Sequence, residues 1–337
     1  MKTRLVKSKN ITLGGGSPIL VQTMLERPFY AYDDEYLEKL KYHGADIVRF
    51  SIDGTYDKDE LKAFIKNSPI PLVIDIKADI KNALFALDSG IDAVRINPSL
   101  ITSKDAEEII KCTKDRGAIM RIGTNEGSTK GESAINLIQK TLEIAERVNF
   151  TNIVLSLKAS DPESTLALNR ELSSRFDFPI HIGLTEAGGS IQSAVRSTYV
   201  LSELLKDGIG DTIRYSMAAD EINEVIAGVE LLRVMGLREP YLNLIVCPSC
   251  SRATFLTGEF LPEVQDDLYR IAYNHKKPIT IAIMGCPLNG IGEASSADVG
   301  ISGSKDNVVI FKKGEIVLKE PSKRAKDALL EVVKSFY

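Results

Sequence analysis

Residues 93–123 read AVRINPSLITSKDAEEIIKCTKDRGAIMRIG, and the plan of most of the chain is visible in them. Two short apolar runs, 93–97 and 119–123, bracket an amphipathic helix over 105–115. Strand, helix, strand at this spacing is the βα unit of a parallel sheet. Cys112 lies three residues after Ile109 on that helix and reads as buried filler, since a free cysteine behaves as a small hydrophobe. The same rhythm recurs on both sides. Apolar runs at 19–23, 47–51, 72–76, 93–97, 119–123, 153–157, 180–184 and 212–216 make eight strands. Helices fall between them, such as 35–43, with Tyr36, Leu37 and Leu40 on one face, and 134–148, with Ile138, Leu142 and Ala145. Eight strands predict a (β/α)8 TIM barrel rather than an open doubly wound sheet, and no GxGxxG fingerprint follows the first strand. The last helix of the series, 222–235, runs out at Gly236-Leu-Arg-Glu-Pro240. The barrel is therefore expected over 1–238 and a second, α/β unit over 239–337.

The second unit reads as strands at 242–246 and 279–284, a helix at 263–274 after Pro262, a hairpin of 308–311 and 315–318 around Lys313-Gly314, and a closing helix at 323–336. Three of the four cysteines follow its strand ends, as Cys247-Pro-Ser-Cys250 and Gly285-Cys286. A CxxC pair joined by a third cysteine from a distant turn presents three thiolates to one metal ion or cluster. The fourth ligand is open on the residues alone: zinc with His275, an iron-sulfur cluster with Glu293 or an external molecule, or a disulfide with no metal. No charged-then-apolar leader or membrane-length run is present, so a cytoplasmic, reducing setting is expected and the disulfide is disfavoured. His275 lies in a polar helix end. Asn289, Gly290 and Gly292 form a loop whose backbone amides suit cluster sulfides, which favours the cluster over zinc.

The barrel strands carry a further signal. Arg49, Arg95, Arg121 and Arg214 sit near strand ends, with Lys77 and Lys158 in similar places. Residues at the C-terminal ends of barrel strands converge on the mouth. Any one arginine there could be half of a structural ion pair, but six cations from six strands imply a multiply charged anion, and guanidinium forks suit phosphate oxygens. Asp75, Asn97, Asn125 and Ser216 complete the polar lining. Glu186, between an apolar strand and Gly188-Gly189, is expected to be partly desolvated and able to exchange a proton. His181 reads as a satisfied core histidine. With 42 Lys and Arg against 46 Asp and Glu, a net charge of −4 and no basic block, nucleic-acid and membrane binding are not expected and a small-molecule partner is.

Several strings resemble those of the 4-hydroxy-3-methylbut-2-enyl diphosphate synthase family. In the barrel they are Pro18-Ile-Leu-Val-Gln-Thr-Met24, Gly44-Ala-Asp-Ile-Val-Arg49, Arg95-Ile-Asn-Pro98, Arg121-Ile-Gly-Thr-Asn-Glu-Gly-Ser128, Lys158-Ala-Ser-Asp161, His181-Ile-Gly-Leu-Thr-Glu-Ala-Gly-Gly189 and Gly208-Ile-Gly-Asp-Thr-Ile-Arg214. In the second unit they are Cys247-Pro-Ser-Cys-Ser-Arg252 and Met284-Gly-Cys-Pro-Leu-Asn-Gly-Ile-Gly-Glu-Ala294. The resemblance implies a two-domain bacterial-type enzyme of the methylerythritol phosphate route to isoprenoids: a TIM barrel followed by an iron-sulfur domain resembling part of sulfite reductase. It implies two-electron opening of methylerythritol cyclodiphosphate, with loss of water, using ferredoxin or flavodoxin. By the same matching, Cys247, Cys250, Cys286 and Glu293 would hold a 4Fe-4S cluster. Arg49, Arg95, Arg121, Lys158 and Arg214 would hold the diphosphate, with Asn97, Asn125 and Ser216 assisting, Glu186 handling protons and Asn289 approaching from the cluster side.

The chain departs from the family pattern at Leu25-Glu-Arg-Pro-Phe29, at Lys77 where histidine is usual, at Pro287 and Ile291, and at Met217-Ala-Ala-Asp-Glu221. A paralogue acting on another phosphorylated substrate, or a non-catalytic iron-sulfur or zinc redox sensor, would carry many of the same residues. The helix after the eighth strand returns the chain to the face opposite the mouth, so a head-to-tail homodimer is expected, with each cluster unit capping its neighbour's barrel.

Overall fold

The computed structural model describes residues 2–52, 56–76, 80–125, 133–286 and 290–337, without the side chains of residues 290 and 293. The chain forms two compact units, Met1–Arg238 and Glu239–Tyr337.

The first unit opens with a short antiparallel hairpin, β1 (Val6–Lys7) and β2 (Thr12–Leu13). Eight parallel strands follow: β3 (Leu20–Met24), β4 (Ile47–Ser51), β5 (Leu72–Ile76), β6 (Ala93–Ile96), β7 (Ile119–Asn125), β8 (Ile153–Lys158), β9 (His181–Ile182) and β10 (Thr212–Ile213). Their order is β8-β7-β6-β5-β4-β3-β10-β9, and a parallel bridge between Leu155 and Ile180 joins the two ends. This is the expected (β/α)8 barrel. Eight helices lie between or after the strands: α1 (Asp34–His43), α2 (Lys58–Asn67), α3 (Ile80–Asp88), α4 (Ser103–Asp115), α5 (Ala134–Arg147), α6 (Pro162–Arg175), α7 (Ser190–Lys206) and α8 (Glu221–Val234). Asp33, Asp57, Thr102, Asp161 and Asp220 start α1, α2, α4, α6 and α8 by accepting hydrogen bonds from first-turn amides. The last two strands are shorter than the runs at 180–184 and 212–216. Cys112 packs against the core while remaining partly exposed, so it is a margin residue rather than buried filler.

The two-residue period of a strand sets the barrel interior in layers. Ile47, Val73, Ala93, Ile119 and Val154 close on Val6, Ile11 and Leu13 of the hairpin, so β1 and β2 plug the floor. Two residues further along the same strands stand Arg49, Asp75, Arg95, Arg121 and Ser156. The intervening residues, such as Val48, Ile74, Val94, Met120 and Leu155, face the helices. The chain leaves the barrel at its N-terminal face. There Arg238 donates Nη1 to Asp46 Oδ2 at 2.6 Å, and Asp46 itself accepts from Val21 N at 2.8 Å.

The second unit is a five-stranded sheet in the order β11 (Leu242–Val246), β12 (Ile279–Met284), β13 (Val299–Ser304), β14 (Asn307–Lys312) and β15 (Glu315–Pro321). The first three strands are parallel and the last two are added as antiparallel hairpins. The helices are α9 (Thr257–His275), α10 (Gly290–Glu293) and α11 (Ala325–Lys334). Val264 and Leu268 of α9 and Leu329 and Val333 of α11 share a core with Ile281, Ile283, Ile301 and Ile310 of the sheet. Helix α9 begins at Thr257, ahead of the expected 263, because Pro262 forgoes only its bond to the carbonyl of Gly258 near the helix start. Strand β13 leaves little signal in the sequence, because Val299-Gly-Ile-Ser-Gly-Ser304 carries two glycines. Gly300 is required, since a Cβ there would lie 2.0 Å from the Phe311 ring.

Candidate active site and metal centre

Among the described residues the barrel interior gathers five cations. Asp75 holds two of them: Arg95 donates Nη1 to its Oδ1 at 2.9 Å and Arg49 Nε stands 3.7 Å from Oδ2. Arg95 also donates Nη2 to Gly123 O at 2.8 Å, and a Cβ at Gly123 would come within 3.2 Å of Arg95 Nε. Arg214 forks onto Glu224, with Nε 3.1 Å from Oε2 and Nη2 2.6 Å from Oε1, and donates Nη1 to Ser216 Oγ at 3.1 Å. Arg121 donates Nη1 to Gln22 Oε1 at 2.9 Å. Its Nε and Nη2 are buried and have no partner among the described residues. Lys158 is 5% exposed, with its ammonium next to Gly183, where a Cβ would lie 3.0 Å from Nζ and 2.8 Å from Arg214 O.

Five cations against the carboxylates of Asp75 and Glu224 leave three positive charges uncompensated by these residues. The titration behaviour follows. Burial, with the charges of Arg49 and Arg214, drives the Lys158 ammonium well below its ordinary range. Burial and the neighbouring arginines do the same to Arg121, and Arg49 is pushed down to about 10. Burial tends to raise the Asp75 carboxyl, but Arg95 and Arg49 more than offset it and hold it below the usual carboxylate value. His181 is fully buried and kept neutral by burial and by Lys158. Among the described residues only its Nδ1 is paired, 2.6 Å from Thr212 Oγ1, and Nε2 has no partner, so His181 is not the satisfied core histidine expected.

At the rim, Asn97 is buried and accepts from Ser99 N and Oγ, Asn125 is exposed and Ser216 is half-buried. Glu186 is exposed, contrary to the expected desolvation. A left-handed backbone (φ 55°) lifts it onto the surface, where it accepts from Ser160 Oγ at 2.9 Å. Lys77 lies outside the described residues. Glu224, which no sequence signal singled out, is 2% exposed and also accepts from Thr23 Oγ1 at 2.8 Å and Met217 N at 2.9 Å. The two stretches that depart from the family pattern after β3 and β10 meet at Glu221. It accepts from Glu26 N at 2.9 Å, from Tyr36 OH at 2.6 Å and from Tyr32 OH.

In the second unit Cys247 and Cys250 lie on one loop that follows β11. Cys247 continues β11, its N donating to Ile283 O at 3.0 Å, and Cys286 follows the adjacent β12. Ser249 takes a left-handed conformation (φ 64°) between Cys247 and Cys250 and packs on Gly285, where a Cβ would meet Ser249 Oγ at 3.1 Å and Phe255 O at 2.9 Å. Only glycine lets the two cysteine-bearing segments approach this closely. All cysteines are free, so the disulfide is absent. His275 ends a 19-residue helix whose first residue, Thr257, donates to Cys247 O at 2.6 Å. That helix sets His275 about 27 Å from the turn along its axis. It stacks instead on Tyr337 at 4.1 Å, and the zinc reading with His275 fails. No group of three His, Cys, Asp or Glu close enough to hold a metal is found among the described residues. Asn289 and the Glu293 side chain lie outside them. Cys247 and Cys250 on one loop and Cys286 on the adjoining one are free thiols, the donor type that a thiolate-held cluster would use.

The family model described as GcpE TIM-barrel domain matches residues 3–229, and that described as GcpE protein C-terminal domain matches 243–335. The chain belongs to the GcpE family. Among its relatives, a 4-hydroxy-3-methylbut-2-en-1-yl diphosphate synthase (flavodoxin) of Geobacter sulfurreducens is 38% identical, over 98% of this chain and 97% of that protein. The enzyme of the same name from Lawsonia intracellularis is also 38% identical, over 98% and 94%. A Yersinia pestis dihydropteroate synthase structure superposes with a TM-score of 0.52 at 13% identity, covering 69% of this chain and 97% of that one, a likeness of fold alone. The GcpE barrel match contains every described cation of the interior, and the C-terminal match contains the three clustered cysteines. No helix of the described residues is long and apolar enough to cross a membrane.

Proposed function

We propose that the protein is an iron-sulfur oxidoreductase of isoprenoid biosynthesis. It opens 2-C-methyl-D-erythritol 2,4-cyclodiphosphate reductively to 4-hydroxy-3-methylbut-2-enyl diphosphate, with two electrons and loss of water. The observation that carries the reading is the excess of positive charge among the described residues of the barrel interior, where the side edge of Arg121 has no described partner, in a chain whose close relatives bear the synthase name. A diphosphate supplies the missing negative charge, and guanidinium edges take its oxygens two at a time. In this reading Arg49, Arg95, Arg121, Lys158 and Arg214 hold the diphosphate. Asp75 and Glu224 fix the arginine planes, and Asn97, Asn125 and Ser216 assist them. Glu186, at the rim beside Ser160, moves the proton needed as water departs. Cys247, Cys250, Cys286 and Glu293 would hold a 4Fe-4S cluster, which when bound supplies the single electrons that side chains cannot. Flavodoxin is the electron donor named for the relatives and is taken as the donor here, with ferredoxin as the equivalent small carrier.

We further propose that the enzyme works as a head-to-tail homodimer, each cluster unit serving the partner's barrel. The exit of the chain at Arg238, on the face opposite the mouth, supports this. Two assays test the proposal. Anaerobically reconstituted protein should carry about four irons per chain and turn over the cyclodiphosphate with reduced flavodoxin; zinc in place of iron, or no turnover, would refute the assignment. Glu186→Ala mixed with Cys286→Ser under verified subunit exchange should regain activity that neither has alone, and a fully active monomer would exclude the shared site.

A further inference from the structure

Among the described residues, four buried nitrogens of the barrel interior have no hydrogen-bond partner: Gln22 Nε2, Arg121 Nε, Arg121 Nη2 and His181 Nε2. Their side chains are 2%, 4% and 0% exposed for Gln22, Arg121 and His181. Burying a polar nitrogen unpaired is costly, and several in one place call for a ligand or ordered water.

The pattern at Gln22 and Arg121 is directional. Nε and Nη2 form the side edge of the guanidinium, the edge that takes two oxygens of a phosphate. The opposite end, Nη1, is held by Gln22 Oε1 at 2.9 Å, across 99 positions of sequence. That contact fixes the amide orientation as well, because turning it over would set the NH2 group against an arginine donor. Gln22 Nε2 is thereby left as a donor without an acceptor, on the residue that sets the plane of Arg121.

We propose that Gln22 is a positioning and ligand residue of the anion site: Oε1 holds Arg121 in plane, and Nε2 donates to the anion that the free edge of Arg121 takes. This rests on the polyanion reading of the barrel given above. The class of ligand is a phosphoryl group, since one oxygen-rich centre can accept from both edges.

Gln22→Glu separates this role from a structural one. The carboxylate keeps the acceptor for Arg121 and offsets part of the positive excess, but it removes the donor and repels an anion. The full-length protein should then melt at a higher temperature without ligand, while inorganic diphosphate binds at least about tenfold more weakly by calorimetry. Wild-type affinity in this variant, or weaker binding accompanied by a lower melting temperature, would overturn the proposal. If Gln22→Glu does not fold, Gln22→Met decides. This variant removes both amide groups at similar volume, and affinity equal to wild type overturns the role while a loss of about tenfold or more supports it. Absence of diphosphate binding to the wild-type chain would defeat the polyanion reading itself, and the role of Gln22 with it.

Discussion

Glu224→Gln removes one negative charge from beneath the barrel mouth while keeping the shape of the side chain. In the wild-type chain the carboxylate accepts four hydrogen bonds, two from Arg214 and one each from Thr23 Oγ1 and Met217 N. A glutamine can keep the acceptor role on one oxygen only, and its NH2 group opposes an arginine donor. Arg214, 14% exposed, loses its counter-charge among described cations that already outnumber Asp75 and Glu224 by three. Removing one partner of a buried, hydrogen-bonded pair costs about 3–5 kcal/mol, and the retained acceptor places this variant near the lower end, about 3 kcal/mol. For a domain of this size each kcal/mol moves the midpoint by roughly 2–4 °C, so the barrel transition should fall by about 6–12 °C. The assay is a thermal melt of wild type and variant at neutral pH, with and without inorganic diphosphate. Because the variant has the larger charge excess, diphosphate should restore more of its stability than it adds to wild type. A midpoint within about 2 °C of wild type, less than one kcal/mol, would mean that Glu224 does not hold Arg214 as described.

Lys158→Met should raise the stability of the ligand-free protein and abolish its response to diphosphate. The folded pKa of Lys158 is depressed from the ordinary 10.5 by burial and by Arg49 and Arg214. Between those two values the unfolded chain holds a proton that the folded chain does not, so stability rises with pH across that window. The variant should flatten that rise in pH-dependent melts, and an unchanged slope would be contrary evidence. Gly183→Ala places a Cβ 2.8 Å from Arg214 O and 3.0 Å from Lys158 Nζ, so it should cost about 1–3 kcal/mol by denaturant titration; a neutral effect would show the barrel wall to be more yielding. Cys286→Ser should abolish iron incorporation on anaerobic reconstitution, and normal iron content would remove Cys286 from the ligand set.

The barrel was legible because short apolar runs recur along the chain at a regular spacing, with amphipathic helices between them. The hairpin of Val6–Lys7 and Thr12–Leu13 was not, because two-residue strands are too short to show a period. The cations were legible one at a time, as Arg49, Arg95, Arg121, Lys158 and Arg214. Their compensation was hidden, since it depends on register and on helix facing. Asp75 lies beside Arg95 through the pairing of β5 with β6, and Glu224 reaches Arg214 from the inner side of α8. Gln22 read as an ordinary strand residue, and its contact with Arg121 exists only once the barrel is closed. Glu186 follows its strand, but a left-handed backbone that the following glycines do not announce carries it to the surface.

The decisive measurement is the electron count of the reaction. Anaerobically reconstituted protein, the cyclodiphosphate and a known quantity of reduced flavodoxin are combined, and phosphorus NMR follows conversion of the cyclic to the linear diphosphate. The proposed chemistry requires one linear allylic diphosphate for every two electrons consumed. Intact substrate in the presence of reductant, or ring opening that consumes no electrons, would contradict it.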